Sequence, residues 1–251
     1  MTPASFAVKA LAALLLLGWL GLAWAAGTAA VVVSLTGTVS VQRTDGRVLA
    51  LARDSVLVAG DIVLTEKGSS ARLRFNDDST VALRAASRLV IQDFSYQPAR
   101  PEEDRLVLNL VKGGMRTVSG AIGKRGDPNA HQTRTAAGTI GIRGTDYGLM
   151  QCADDNDAAC QDLKVPGAFL ARHGGIPAGL YMSVFEGTIN LTNRVASKDY
   201  AQGKSGYVRD DNSQPEAMED DPGLPRGSLM PGLLPTLQDS VPGTDPACLV
   251  R

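Results

Sequence analysis

The chain has 251 residues, with 25 Lys and Arg against 26 Asp and Glu, and its formal net charge is −1. Residues 210–251 carry a net charge of −6, so residues 1–209 carry about +5. A charge of this size is not the concentrated basic footprint of a nucleic-acid-binding protein, and we exclude that class. Aromatic residues make up 5% of the chain and glycines number 27, so we expect a core of Val, Leu, Ile and Ala on many short strands.

The first 25 residues have the features of an export signal. Lys9 is the one charged side chain before the apolar run 10–23, and Ala23-Trp24-Ala25 has the small residues that signal peptidase prefers before its cut. We therefore predict a signal peptide over residues 1–25 and a periplasmic mature chain. The apolar run is short for a membrane span, which needs about 20 residues. An uncleaved inner-membrane anchor is the alternative.

Alternating apolar and polar residues predict a series of strands in the first half of the mature chain. They cover residues 31–35, 37–43, 47–51, 61–65, 70–75 and 80–84. The first hairpin turns at Thr44-Asp45-Gly46, because Asp-Gly suits a type I′ turn. The segment Asn76-Asp77-Asp78-Ser79 is predicted to be a solvated turn whose short side chains bond their own backbone.

The second half alternates between strands and glycine-rich or proline-rich connections. A strand over 106–111 is predicted to break at Gly113-Gly114 and to be followed by another over 115–118. Residues 119–129 and 165–177 are predicted to be loops. Strands over 180–186 and 188–193 are expected to join at Gly187. Both histidines, His131 and His173, are placed in surface loops without a catalytic role.

The segment Thr135–Tyr147 is the most informative part of the chain. Gly138, Gly141 and Gly144 are spaced three apart between β-branched residues. Each glycine disfavours a helix by about 1 kcal/mol, so a strand with bulges or a close approach to its neighbours fits better. We predict that Arg143 pairs with Asp146 or Glu186 and joins two strands. The alternative is that its guanidinium binds a carboxylate of a partner.

Cysteine and acidic residues raise the question of a disulfide or a metal site. Cys152 and Cys160 flank a short acidic insert, and in an exported protein this spacing favours a local disulfide. Cys248 is left over, either free or paired with another chain. No metal is expected, because neither of the two histidines has ligand spacing to a cysteine. Among the acidic residues, the insert's aspartates, 154, 155 and 157, are a better cation candidate than Asp77 and Asp78, which have no further aligned oxygen ligands.

Three segments taken together resemble the FecR domain, a periplasmic all-β module of cell-surface signalling proteins. The first runs through Leu57–Thr65 and Gly68–Leu83, and its matching positions include Gly60, Asp61, Asp77 and Asp78. The second is Thr135–Tyr147, with Gly141, Arg143, Gly144 and Thr145. The third is Val184–Leu191, with Glu186 and Gly187, followed by Ala201-Gln202-Gly203. The resemblance extends from about Gly37 to Val208.

The resemblance implies an all-β fold, an elongated two-layer β-sandwich or solenoid-like FecR domain over residues 31–209. The amino-acid composition changes after that domain. Residues 210–251 contain eight acids, two bases and seven of the 13 prolines of the chain. We predict a mostly disordered acidic tail there. The alternative is a tail that docks on a basic face of the domain.

The sequence offers no catalytic constellation. A phosphate loop, a dinucleotide motif and a Gly-x-Ser-x-Gly nucleophile are all missing, so we predict neither an enzyme nor a cofactor. The resemblance implies a non-catalytic periplasmic module for envelope signalling, whose partner is an envelope protein or a cell-wall component. Family members that regulate sigma factors carry a cytoplasmic domain and a membrane helix before the module, whereas we expect only the periplasmic half here. A structural component of an envelope assembly and a hydrolase of envelope polymers are the alternatives.

Overall fold

The computed structural model describes residues 27–125, 127 and 129–224. The predicted signal peptide, the end of the predicted tail and Cys248 lie outside these residues. Within them, no helix is long and apolar enough to cross a membrane.

The all-β prediction is confirmed, since the described residues form fifteen strands joined in a single mixed sheet. The first eight strands are β1 Thr28–Thr36, β2 Val39–Gln42, β3 Val48–Ala50, β4 Val56–Val58, β5 Ile62–Thr65, β6 Ser70–Phe75, β7 Thr80–Leu83 and β8 Arg88–Ser95. The others are β9 Arg105–Val118, β10 His131–Thr135, β11 Gly138–Cys152, β12 Gly179–Thr192, β13 Ser197–Ala201, β14 Ser205–Val208 and β15 Glu216–Met218.

Among the described residues, helical structure is limited to short segments. One α-helix, α1 Gly167–His173, follows Pro166 and ends at Gly174, which is in the left-handed conformation. The prediction of a loop over 165–177 was therefore wrong for these seven residues. The short helix is stabilised by tertiary contact, because Phe169 is buried against Tyr181 and Tyr207. Three-residue 3₁₀ turns occur at Pro101–Glu103, Ile122–Lys124 and Ala158–Cys160.

The long strand β9 connects the parts of the sheet by changing partners along its length. Its first half pairs with β8 and, in parallel, with β10, whereas its second half pairs with β7 and β11. The predicted break at Gly113-Gly114 was wrong, because the strand continues through both glycines. The Ser87 hydroxyl contacts β9 at Gly114, where the strand changes partners. It accepts a hydrogen bond from Gly114 N at 2.9 Å and donates one to Gly114 O at 3.1 Å.

The first hairpin has the predicted position but a different turn. β2 pairs with β3, and Gly46 N donates to Arg43 O at 2.9 Å. A type I′ turn needs positive φ at both central residues, whereas Gly46 has φ +85° and Asp45 does not share this conformation. The loop is therefore a turn over Arg43–Gly46 that ends in a left-handed glycine, as in three-residue hairpins.

The inward side chains form one main core that draws on β1 through β14. His131, predicted to lie in a surface loop, is instead the first residue of β10 and is completely buried, and neither ring nitrogen has a hydrogen-bond partner in the described structure. Burial lowers the pKa of His131 to about 3. The histidine therefore belongs to the core in its neutral form.

The folded part of the chain continues past residue 209. Glu216–Met218 forms β15 and pairs with β14, and Met218 and Leu224 are buried. Residues 210–224, which we assigned to the tail, therefore pack on the domain. Six of the eight acids counted from residue 210 onward lie in this packed segment.

Candidate functional site

Asp61, in the first FecR-like segment, is a structural residue. Its side chain is fully buried, accepts a hydrogen bond from Val58 N at 2.8 Å and forms an ion pair with Arg43. Gly60, beside it, has φ +90°, and its amide donates to Ile91 O at 2.7 Å. Gly60 and Asp61 therefore connect the start of β5 to β4 and β8.

Asp77 and Asp78 have opposite environments within one turn. Asp78 is exposed, as predicted. Asp77 is 1% exposed, so its prediction as a solvated residue was wrong. Its carboxylate accepts from the Ser79 amide at 3.0 Å, from the Ser79 hydroxyl at 2.7 Å and from the Ile122 amide at 3.2 Å. The turn thereby anchors the loop that follows β9.

The ion pair predicted for Arg143 is formed by other residues. Arg143 and Glu186 are exposed, and neither has an ion-pair partner among the described residues. Asp146 pairs instead with Arg116, whose Nε donates at 2.8 Å and whose terminal nitrogen contacts the second carboxylate oxygen. The register of β11 against β12 shifts between Arg143 and Asp146. Asp146 lies opposite Val118, at the end of β9 that carries Arg116.

The pairing of Asp146 with Arg116 rather than Arg143 gives a first prediction. Arg116→Ala leaves the partly buried Asp146 carboxylate unpaired and removes the guanidinium that lies 4.9 Å from the Phe185 ring centroid. We expect a loss of about 2–3 kcal/mol in the free energy of unfolding. Arg143→Ala is expected to change it by less than about 0.5 kcal/mol. Urea unfolding of both variants measures the difference, and equal losses would contradict the assignment.

The remaining family positions hold β11 against its neighbours. Gly144 and Gly187 meet at the bulge between β11 and β12, with φ +58° and +76°. Thr145 is buried, its amide donates to the Ser119 hydroxyl at 2.8 Å, and its carbonyl accepts from Ser119 N at 2.9 Å. Strand structure with bulges, predicted for this segment, is therefore confirmed.

The predicted disulfide between Cys152 and Cys160 is confirmed. Two aspartates of the closed loop, Asp155 and Asp157, are engaged within the protein. Asp157 accepts from the amides of Ala153 and Ala159, both at 2.9 Å. The hydrogen bond from the Ala178 amide, followed by the charge of Arg209, lowers the pKa of Asp155. No cluster of metal-ligating residues occurs in the parts of the chain that the structure describes.

The disulfide gives a second prediction. The bond closes a loop over a sequence separation of 8 residues. The double variant Cys152→Ala/Cys160→Ala is expected to lose about 2–3 kcal/mol of unfolding free energy by the loop-entropy estimate. Thermal unfolding of the wild type with a reductant should show a similar loss. A double variant as stable as the oxidised wild type would contradict the prediction.

The insertion after Cys152 covers one half of an outer sheet face. A second apolar cluster, distinct from the main core, packs there between the insertion, α1, the end of β11, β12, β14 and the C-terminal segment. Its members include Met150, Phe169, Tyr181, Tyr207 and Leu224. The other half of the same face, over β10 to β13, is not covered by the residues that the structure describes.

An open polar groove of about 570 Å³ lies on this uncovered half. We call it the polar groove; it is lined by Asn129, Gln132, Thr139, Gly141, Ile142, Arg143, Thr188, Asn190, Thr192 and Asp199. Strand register arranges these positions in rows. One row runs across four strands through Gln132, Gly141, Asn190 and Asp199. The neighbouring row runs through Arg134, Thr139, Thr192 and Ser197.

A hydrogen-bonded cluster fixes one wall of the polar groove. Asn190 Nδ2 donates to Asp199 Oδ1 at 2.6 Å, and Asn190 Oδ1 accepts from the Thr192 hydroxyl at 2.8 Å. The Ser197 hydroxyl lies 3.0 Å from that of Thr192. These side chains are therefore held in position before any ligand binds.

Gly141 is the floor of the polar groove. Its φ lies outside the left-handed range, and the nearest atom to an added Cβ is Asn190 O at 3.9 Å. Neither backbone conformation nor packing therefore requires glycine at this position. Glycine at this position keeps the groove open, because a larger side chain would occupy part of it.

Sequence patterns pointed to Gly141 and Arg143 but not to Gln132, Asn190 and Asp199. The available signal was the alternation of outward polar and inward apolar residues in 188–192, whereas 131–135 contains no apolar residue and carries no such pattern. That alternation assigns faces within one strand. It does not give the register that places the three residues in one row.

The architecture defines an all-β domain, built as one mixed sheet around a main core, with a disulfide-closed insertion on one face. The chain belongs to the FecR protein family, whose pattern matches residues 61–190, more than half of its length. No curated protein matches the chain.

Two crystal structures of a candidate anti-sigma factor from Parabacteroides distasonis are similar to this chain. The sequence identities are 11% and 12%, and the TM-scores are 0.45 and 0.46. Each alignment covers 64% of this chain and 60% of the other. The matched part is thus less than two thirds of those chains.

Proposed function

We propose that this FecR-family chain is a non-catalytic, exported binding module that takes part in envelope signalling. The single observation that carries the proposal is the polar groove, a preformed surface on a face that the rest of the domain leaves open. Its partner is an envelope protein or a cell-wall component. Membership of the FecR family supports the signalling role.

The chemistry of the polar groove supports binding without turnover. Asp199 is the one carboxylate among its lining residues, and it accepts a hydrogen bond from Asn190. General acid–base catalysis needs a second titratable group at the reacting atoms. Arg143, the other charged residue of the lining, carries a guanidinium, which offers hydrogen-bond donors but no acceptor and is not such a group. A hydrolase is therefore disfavoured.

Export is supported by two independent features. The N-terminal sequence has the apolar run and small residues of a signal peptide. The Cys152–Cys160 disulfide suits an oxidising compartment such as the bacterial periplasm. Both features favour a periplasmic location.

A structural role in an envelope assembly is the second candidate. Strands β3 and β4 expose apolar side chains, with Val48 63%, Leu49 43% and Val56 44% exposed. β4 ends the main path of the sheet. An exposed strand edge can pair with a strand of another chain, which favours assembly through this end of the molecule.

Affinity capture from solubilised envelope extracts separates the two candidates. The baits are the wild type, Gly141→Val, which fills the polar groove, and Val48→Ser, which makes the β3 edge more polar. We expect a specific envelope component to be captured by the wild type and Val48→Ser but not by Gly141→Val. Capture that is lost only with Val48→Ser would favour assembly through the edge. Turnover of a cell-wall substrate would contradict a non-catalytic module.

A further inference from the structure

We infer that the polar groove binds a linear glycan segment that carries carboxylate groups. This inference rests on the proposed function, because it names the chemical class of the partner at the same surface. It is carried by the hydrogen-bonding capacity of the lining, its charge and its shape.

The polar groove lies on the face of the sheet, where main-chain recognition is not available. β10, β11, β12 and β13 are hydrogen-bonded to each other across the groove. Strand addition requires a free strand edge. A ligand at this surface must therefore be recognised by side chains.

Those side chains match the hydroxyl groups of a sugar. Gln132 and Asn190 present amides, and Thr139, Thr188 and Thr192 present hydroxyls. Amides and hydroxyls both donate and accept hydrogen bonds, as sugar hydroxyls do. Gln132 has no side-chain hydrogen bond within the described structure, so its amide is available to a ligand.

Two guanidinium groups without an ion-pair partner among the described residues add a preference for carboxylates. The carboxylates of the same surface are engaged within the protein, since Asp199 accepts from Asn190 and Asp211 pairs with Arg194. Arg143 lines one end of the polar groove, and Arg134 lines an adjoining depression of about 400 Å³ that shares Thr139 and Thr192 with the groove. Neither arginine has an ion-pair partner among the described residues. Arginine binds carboxylates through two parallel hydrogen bonds. The two arginines therefore provide separate anchor points for acidic substituents.

The shape of the surface favours a chain over a single ring. Between Thr139 and Arg143 the groove follows β11 for about 13 Å, at about 3.3 Å per residue, and the Arg134 depression, which Gly138 lines, extends it. The missing side chain at Gly141 keeps the middle of this path open. A continuous open path with charged anchors at separate points suits a linear acidic glycan.

Calorimetric titration of the full chain tests the inference. The probes are a linear hexagalacturonate, a neutral glucose hexamer of similar length, and poly-glutamate as an acidic peptide. We expect hexagalacturonate to bind more tightly than either other probe. Arg134→Gln/Arg143→Gln should weaken it about tenfold or more, equivalent to about 1.4 kcal/mol per factor of ten. Arg53→Gln, which replaces an exposed arginine outside the groove, is the matched control and should bind as the wild type does.

Three outcomes of the titrations would overturn the inference. They are an absence of hexagalacturonate binding, equal binding of poly-glutamate, and equal weakening by Arg53→Gln. A concentration-dependent dimer abolished by Gly141→Val would assign the groove to a second copy and also overturn it. If Gly141→Val is unstable, the double arginine variant still decides the outcome. Capture of an envelope protein that is lost with Gly141→Val, without hexagalacturonate binding, would contradict this inference but not the proposed function. Capture that Gly141→Val leaves unchanged would contradict the proposed function.

Discussion

Gly187→Ala is expected to destabilise the protein by about 3–5 kcal/mol, the sum of a left-handed backbone penalty and a steric conflict. Gly187 has φ +76°, and an added Cβ would meet the Gly144 carbonyl oxygen and lie 2.9 Å from Thr145 Cγ2. Both obstacles belong to β11, so relief requires the two strands to separate at their bulge. Thermal or urea unfolding measures the loss.

Two other glycines provide matched controls for this prediction. Gly144 has φ +58°, but the nearest atom to an added Cβ is Lys124 Cγ at 4.0 Å, so Gly144→Ala should cost about 1–2 kcal/mol for conformation alone. Gly141 has neither constraint, and Gly141→Ala should be neutral or stabilising by up to about 1 kcal/mol. Equal effects at the three positions would contradict the account of this strand pair.

Stability is expected to fall as the pH drops below about 6.5, because His131 is buried in its neutral form. Burial lowers its pKa to about 3 in the folded state, while the unfolded chain keeps the ordinary value of 6.5. Between these values the unfolded state binds the extra proton, so the stability contributed by neutral burial is lost as the pH falls. The slope is about 1.4 kcal/mol per pH unit, giving about 4–5 kcal/mol by pH 3.

The variant His131→Leu isolates this effect from that of the carboxylates. Both ring nitrogens lack hydrogen-bond partners in the described structure, so replacing the imidazole by an apolar side chain should cost little at pH 7. In urea unfolding from pH 7 to pH 4, the variant should gain stability relative to the wild type as the pH falls. Parallel curves for the two proteins would contradict the prediction.

Local patterns predicted the strands well, because period-two alternation depends only on which face is buried. Ser70–Phe75 has the predicted bounds, and the glycine-rich segment forms a bulged strand. The disulfide was also predictable, since Cys152 and Cys160 are close in sequence. The turn at Thr44–Gly46 was placed correctly, but its type depends on the conformation of Asp45, which composition does not determine.

Interactions between distant segments account for the errors. Asp77 is buried because the loop at Ile122 packs over its turn, and Asp146 pairs with an arginine on β9 that no local pattern singles out. The short helix α1 depends on Tyr181 and Tyr207 beneath Phe169. The polar groove follows from strand register and from an insertion that covers only half of one face, and neither can be deduced from one strand at a time.

The central claim is that partners bind at the polar groove. Amide NMR spectra of the isotope-labelled protein, titrated with unlabelled solubilised envelope fraction, test it most directly. The account predicts that signals of Gln132, Gly141, Arg143 and Asn190 shift or broaden first, and that Gly141→Val abolishes the changes. Changes confined to Val48–Ala50 and Val56–Val58, or to helix α1, would contradict it.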